Sequence, residues 1–150
     1  MHSPPEWSAA NPDFERATRS MFAGQPFMEH IGALLTAVAP GHAEIRLPFR
    51  HALTQHDGFF HGGLIATLAD NAGGAAGYTV IPAGKGLLTV EFKVNILAPG
   101  QGDALIARGR VVRAGRSLVV SAAEVYAAQD GREVLCAAHL MTLMVVERGD

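Results

Sequence analysis

From Leu87 onward the chain alternates apolar with polar or small residues over four runs: Leu87–Leu97, Ala104–Arg113, Ser117–Ala128 and Glu133–Val146. A period of two predicts β-strands. In the first run Glu91, Lys93 and Asn95 share one face, and Phe92, Val94 and Ile96 share the other. Turn-forming residues divide the runs at residues 98–103, 114–116 and 129–132. Links this short between neighbouring strands predict antiparallel hairpins, and so a four-strand meander. Two further strands are expected upstream, at Leu34–Ala39 and His42–Phe49, joined by a Pro40-Gly41 turn.

The period changes in two places. NPDFERATRSMFAG reads as a helix, with Asn11 as N-cap, Pro12 in the first turn and Gly24 and Pro26 ending it. Residues 1–10 before it read as a disordered tip. After an Arg50–Phe60 loop comes HGGLIATLADNAGG, a helix rich in Ala and Gly without the broad polar stripe of a surface helix. Gly73, Gly74, Gly77 and Pro82 are expected to weaken or close it. The order is helix, hairpin, buried helix, then strands. It predicts an α+β chain with a long curved antiparallel sheet wrapped around one central helix, plus an extra N-terminal helix. That is the hotdog architecture, here a single domain over residues 11–150.

Composition narrows the function. Hydrophobic residues make up 49% of the 150 and charged residues only 17%, so a core and a subunit interface are both within reach. The net charge is −2 and no basic run exists, which argues against nucleic acid as the main partner. The single cysteine, Cys136, excludes a disulfide within the chain and suits a reducing compartment. Its setting in VLCAAHLMTLMVV reads as a core thiol. The N-terminal residues lack an apolar stretch of signal-peptide length, and no segment reads as a membrane span. A cytoplasmic location is therefore expected. His51, His56 and His61 recur every five residues with no helical HxxxH or cysteine pair beside them, so no metal and no cofactor are expected.

One residue breaks the pattern of the central segment. Between His61 and Lys85 every residue is apolar, small or neutral except Asp70, which is expected to be buried. The stretch TQHDGFFHGGLIATLADNAGG, with its HGG and an acid eight positions after the first glycine, resembles the PaaI-like (phenylacetate-degradation type) hotdog acyl-CoA thioesterases. TVEFKVNILAP and RAGRSLVVSAAEVY extend the resemblance over roughly residues 30–146. It implies that Asp70 is the catalytic carboxylate and that the Gly62 N–H polarises the thioester carbonyl. It also implies that Gln55, where the family commonly has Asn, contacts substrate or water, and that Thr89 assists the water. An acyl-CoA substrate is implied, in a homo-oligomer that is a dimer at least and a tetramer of two dimers.

The chemistry agrees with these roles. Thioester hydrolysis needs donors for an oxyanion, and the N–H groups at a helix start are unpaired and lie at the positive end of its dipole. Gly62 and Gly63 carry no Cβ to obstruct a carbonyl. Asp70 would act as general base or as nucleophile. Eight residues of one helix separate Gly62 from Asp70 by about 12 Å, too far for both to serve one carbonyl carbon. A composite site is expected, with Gly62 from one subunit and Asp70 from another. His61 either orients the substrate loop or caps local backbone. Phe59 and Phe60 are candidates for an acyl pocket or for the core. Arg113, Gly115, Arg116 and Ser117, at a strand turn, are candidates for the CoA phosphates or for an ordinary solvated hairpin. Two other functions compete. A hotdog enoyl-CoA hydratase would need a His soon after the acid, where this chain has Ala72, Gly73, Gly74, Ala75 and Ala76. A non-catalytic acyl-CoA-binding module would bind without turnover.

Overall fold

The computed structural model describes residues 6–148. Its elements are α1 (Phe14–Ala23), α2 (Pro26–Ile31), β1 (Leu34–Ala39), β2 (His42–Pro48), α3 (Gly62–Tyr78), β3 (Lys85–Ile96), β4 (Ala104–Ala114), β5 (Leu118–Gln129) and β6 (Arg132–Glu147), with one turn of 3₁₀ helix at His51–Leu53. The strands form a single antiparallel sheet in the order β1-β2-β4-β5-β6-β3. The sheet wraps α3, as expected of a hotdog α+β fold.

The strand order corrects the four-strand meander. Of those four runs only β4, β5 and β6 follow one another as hairpins; β3 pairs with β6 at the far edge. Residues 97–103, read as a hairpin link, are a crossover. Three inter-strand spacings amount to about 14 Å, well within the reach of seven extended residues. The crossover is fastened to the loop before α3, where the Phe60 N–H donates to the Gly100 carbonyl at 2.8 Å.

The N-terminal helix also begins later than its sequence suggests. Asn11 does not cap it. Its Oδ1 accepts from the Asp13 N–H at 3.0 Å, making a local turn, and helical residues start at Phe14. Gly24 ends α1 as expected, but Pro26 opens a second helix at its first position, which Gly32 closes at φ 78°. Of the expected disordered tip over residues 1–10, residues 1–5 lie outside the described residues. Trp7 is anchored: its Nε1 donates to the Val111 carbonyl at 3.2 Å. Its ring lies over Gly41, where a Cβ would come within 2.3 Å of Trp7 Cδ1.

α3 runs unbroken through Gly73, Gly74 and Gly77; the glycines do not close it, because tertiary contact outweighs propensity. Leu64, Ile65, Leu68, Ala69 and Ala72 pack into the core against Ile45, Leu47, Leu105 and Val125. Close approach is what two glycines allow. A Cβ on Gly73 would lie 2.5 Å from Met141 Sδ, and one on Gly109 of β4 would lie 2.0 Å from the Ala72 carbonyl oxygen. Cys136 is fully buried in β6.

Candidate active site

The face of α3 that the sheet leaves uncovered carries Gly62, Gly63, Ala66, Thr67, Asp70, Asn71 and Gly74, none of them buried. The expectation that Asp70 is buried is thereby corrected. The residue is half-buried because it stands at the rim of the sheet, beside the edge strand β3. Its Oδ1 accepts from the Thr89 Oγ1–H at 2.9 Å. A β-bulge between Thr89 and Glu91 separates Thr89, opposite Leu143, from the regular pairing that resumes with Glu91 opposite Thr142. Asp70 and Thr89 line a cavity of about 360 Å³ that extends past Gly74 to Tyr78.

The start of the same helix faces a different cavity, lined by Gln55, Phe59, Phe60 and Gly62. The His61 ring is the cap, its Nδ1 accepting from the Gly63 N–H at 2.9 Å. Accepting at Nδ1 places the proton of the neutral ring on Nε2. With Gly63 so engaged, the Gly62 N–H is the donor left without an acceptor among the described residues. The Gln55 Oε1 accepts from the Asp57 N–H, which holds the loop as a turn. Phe60 is a core residue, stacked edge-on to Phe49 with ring centroids 5.4 Å apart, whereas Phe59 is half-buried.

Asp70 and Thr89 therefore lie together, as do Gly62, Gln55 and Phe59, in two separate cavities of one chain. Arg113, Gly115, Arg116 and Ser117 are exposed around the β4–β5 turn and line neither cavity. Among the described residues no three His, Cys, Asp or Glu side chains are grouped to hold a metal ion, and no helix is long and apolar enough to cross a membrane.

Three features of the site were not anticipated. The cavity beside Asp70 ends at Tyr78, whose hydroxyl accepts from the Arg148 Nη1–H at 2.8 Å. Gly74 borders that cavity with open space where a side chain would be. Buried His139 lies against Phe92, ring centroids 4.9 Å apart, with neither ring nitrogen hydrogen-bonded. The sequence held little sign of them. Tyr78 and Arg148 are distant in the chain, a glycine reads as a breaker, and His139 reads as one more residue of an apolar strand.

Comparison with known proteins agrees with this architecture. The solved structure of a thioesterase family protein from Silicibacter pomeroyi is 39% identical, with a TM-score of 0.88 over 90% of this chain and 99% of that one. The PaaI protein of the Escherichia coli phenylacetic acid degradation operon shares the fold at 19% identity, with a TM-score of 0.80 over 93% of this chain and 96% of that one. A Halobacterium salinarum protein provisionally named an esterase is 34% identical over 99 residues, which is 63% of this chain and 65% of that relative's length. Another of that provisional name, from Saccharolobus solfataricus, is 32% identical over 77% of this chain and 74% of its own. The family model described as "Thioesterase superfamily" matches residues 57–134, the segment that holds the helix-start glycines, Asp70, Thr89 and the first part of β6. The chain belongs to the thioesterase superfamily, with the hotdog fold of that group.

Proposed function

We propose that this protein hydrolyses an acyl-CoA thioester to the free acid and CoA, at a site shared by two subunits. One observation carries the reading: the only carboxylate on α3 is held by a hydroxyl in a cavity, while the unpaired N–H of the same helix opens into another. A second copy that brings its Asp70 to the first copy's Gly62 joins the two halves.

In that site the Gly62 N–H donates to the thioester oxygen as negative charge develops there. Asp70 takes a proton from water as the water oxygen attacks the carbonyl carbon. The tetrahedral intermediate then expels CoA as its thiolate, and the proton on Asp70 goes to the sulfur. The alternative begins with attack by the carboxylate itself, expelling CoA and leaving a mixed anhydride that water cleaves. Thr89 orients the carboxylate in either route. Gln55 and Phe59 flank the carbonyl, His61 holds the helix start, and Gly63 leaves room for the thioester. Arg113 and Arg116, with the Gly115–Ser117 turn, offer exposed cations and N–H groups to the CoA phosphates.

Two inactivating substitutions test the site together. Asp70→Asn is expected to lower CoA release by ~100-fold or more. Gly62→Pro removes the N–H without breaking the helix, because proline suits the first helical position and His61 before it is already extended at φ −60°, ψ 134°. Each variant alone is expected to be inactive. Subunits of the two, unfolded and reassembled in equal amounts, should recover about a quarter of wild-type turnover, since half the dimers then hold one intact site of two. No recovery would place Gly62 and Asp70 in one subunit's site. Tight acyl-CoA binding with no turnover in the wild type would mark a binding module.

A further inference from the structure

The cavity that begins at Asp70 has an apolar middle and a polar end. Asp70, Gly74 and Tyr78 recur every four residues on α3 and so stack along one face, spanning about 12 Å. Leu87, Leu143 and Val146 also line the cavity. Gly74 is the unusual member. Gly73 and Gly77 on either side meet packed side chains at 2.5 and 3.0 Å, but a Cβ at Gly74 would meet nothing within 4 Å. Its backbone is ordinary helix, so neither crowding nor a positive φ calls for glycine there. What its missing side chain provides is a clear passage from Asp70 to Tyr78.

At the far end the Arg148 Nη1–H donates to the Tyr78 hydroxyl at 2.8 Å, and the Arg148 backbone N–H donates to the Gly84 carbonyl at 3.1 Å. The tyrosine proton and the other guanidinium N–H groups are left to donate elsewhere. Arg148 has no carboxylate partner among the described residues, and the neighbouring Glu147 is engaged by Lys85. The guanidinium is exposed, so an anion meeting it stays partly hydrated and avoids the cost of burial.

We infer that this cavity takes the acyl chain, and that the preferred acyl group carries a carboxylate at its distal end, received by Arg148 and Tyr78. The inference rests on the thioesterase reading and adds the substrate class. Taking ~3 Å from each end of the 12 Å span for the reacting carbonyl and the terminal hydrogen bond leaves roughly 6 Å. That is about five bonds of extended chain, the length of a six-carbon dicarboxylic acyl group.

The test compares acetyl-, hexanoyl- and adipoyl-CoA, which share the CoA moiety and differ only in what enters the cavity. Adipoyl-CoA is expected to exceed hexanoyl-CoA in kcat/KM by ~10-fold or more, and Arg148→Gln to bring the two within ~3-fold of each other. Gly74→Leu should lower turnover of both six-carbon substrates by ~10-fold or more relative to acetyl-CoA. A wild type that favours hexanoyl-CoA, a preference that survives Arg148→Gln, or a chain-length profile unmoved by Gly74→Leu overturns the inference and leaves hydrolysis standing. If no thioester is turned over, hydrolysis fails instead. Calorimetric binding of the same thioesters then decides the cavity's role, and adipoyl-CoA binding no tighter than hexanoyl-CoA overturns it.

Discussion

A methyl group added at Gly109 would sit 2.0 Å from the Ala72 carbonyl oxygen, which is backbone and cannot swing aside. Gly109→Ala is therefore expected to destabilise the protein by about 2–3 kcal/mol, read as a lower midpoint in urea. Gly74→Ala should stabilise the protein by about 0.5–1 kcal/mol, read as a higher midpoint, because the new methyl group meets open space and alanine favours helix. His139 is the other residue whose surroundings make a measurable demand. Burial pushes its pKa below the ordinary histidine value, while the carboxylates facing it, Asp70 from α3 and Glu91 from β3, push the other way; β5 presents uncharged Ala123 and Ser121 on that side. The net shift is downward, so the unfolded chain binds the proton first. Stability contributed by neutral His139 is present above about pH 6.5 and is lost as the pH falls below it. Urea unfolding of wild type and His139→Leu between pH 7.5 and 5 should show the wild type losing more. Equal losses would mean that the ring is not held neutral by the fold.

The elements differ in how far local sequence specifies them. β1 covers the Leu34–Ala39 run, and β4, β5 and β6 lie within a residue or so of theirs, because alternation and turn residues act locally. Which strand lies beside which does not follow from that alternation. The run that became β3 has the same period as its neighbours, and nothing within it distinguishes β4 from β6 as its partner. Helix starts were blurred for a similar reason. Asn11-Pro12 suits both a cap and a free turn, and Pro26 is as good a beginning as an end. Asp70 was legible as the one acid in an apolar segment, and family resemblance singled out Thr89, which does reach it. The half-burial of Asp70 depends on which face of α3 the sheet leaves open. The Tyr78–Arg148 end of its cavity depends on β6 returning alongside β3. Both are properties of the assembled sheet.

At the scale of the whole molecule, two surfaces remain unusually apolar. Val90, Phe92 and Ile96 are exposed along β3, an outer strand of the sheet. Leu88, Met144 and Leu118 lie abreast across β3, β6 and β5 and are all exposed. Such patches favour cover by another chain. The first lies beside Thr89, the partner of Asp70, in keeping with the proposed shared site, and the second suits the proposed pairing of dimers. The chain's single thiol lies in the core. Cys136 has no solvent exposure, and burial raises its pKa to about 11. A disulfide reagent reacts with thiolate, so at neutral pH the native protein offers it almost nothing to react with. Cys136 is thereby a built-in clock for opening of the fold. Its labelling should proceed at the rate at which the β5–β6 region opens, become independent of reagent at high concentration, and quicken in step with urea. Labelling that stays proportional to reagent at every concentration, with no response to urea, would mean that the thiol is reached without the fold opening.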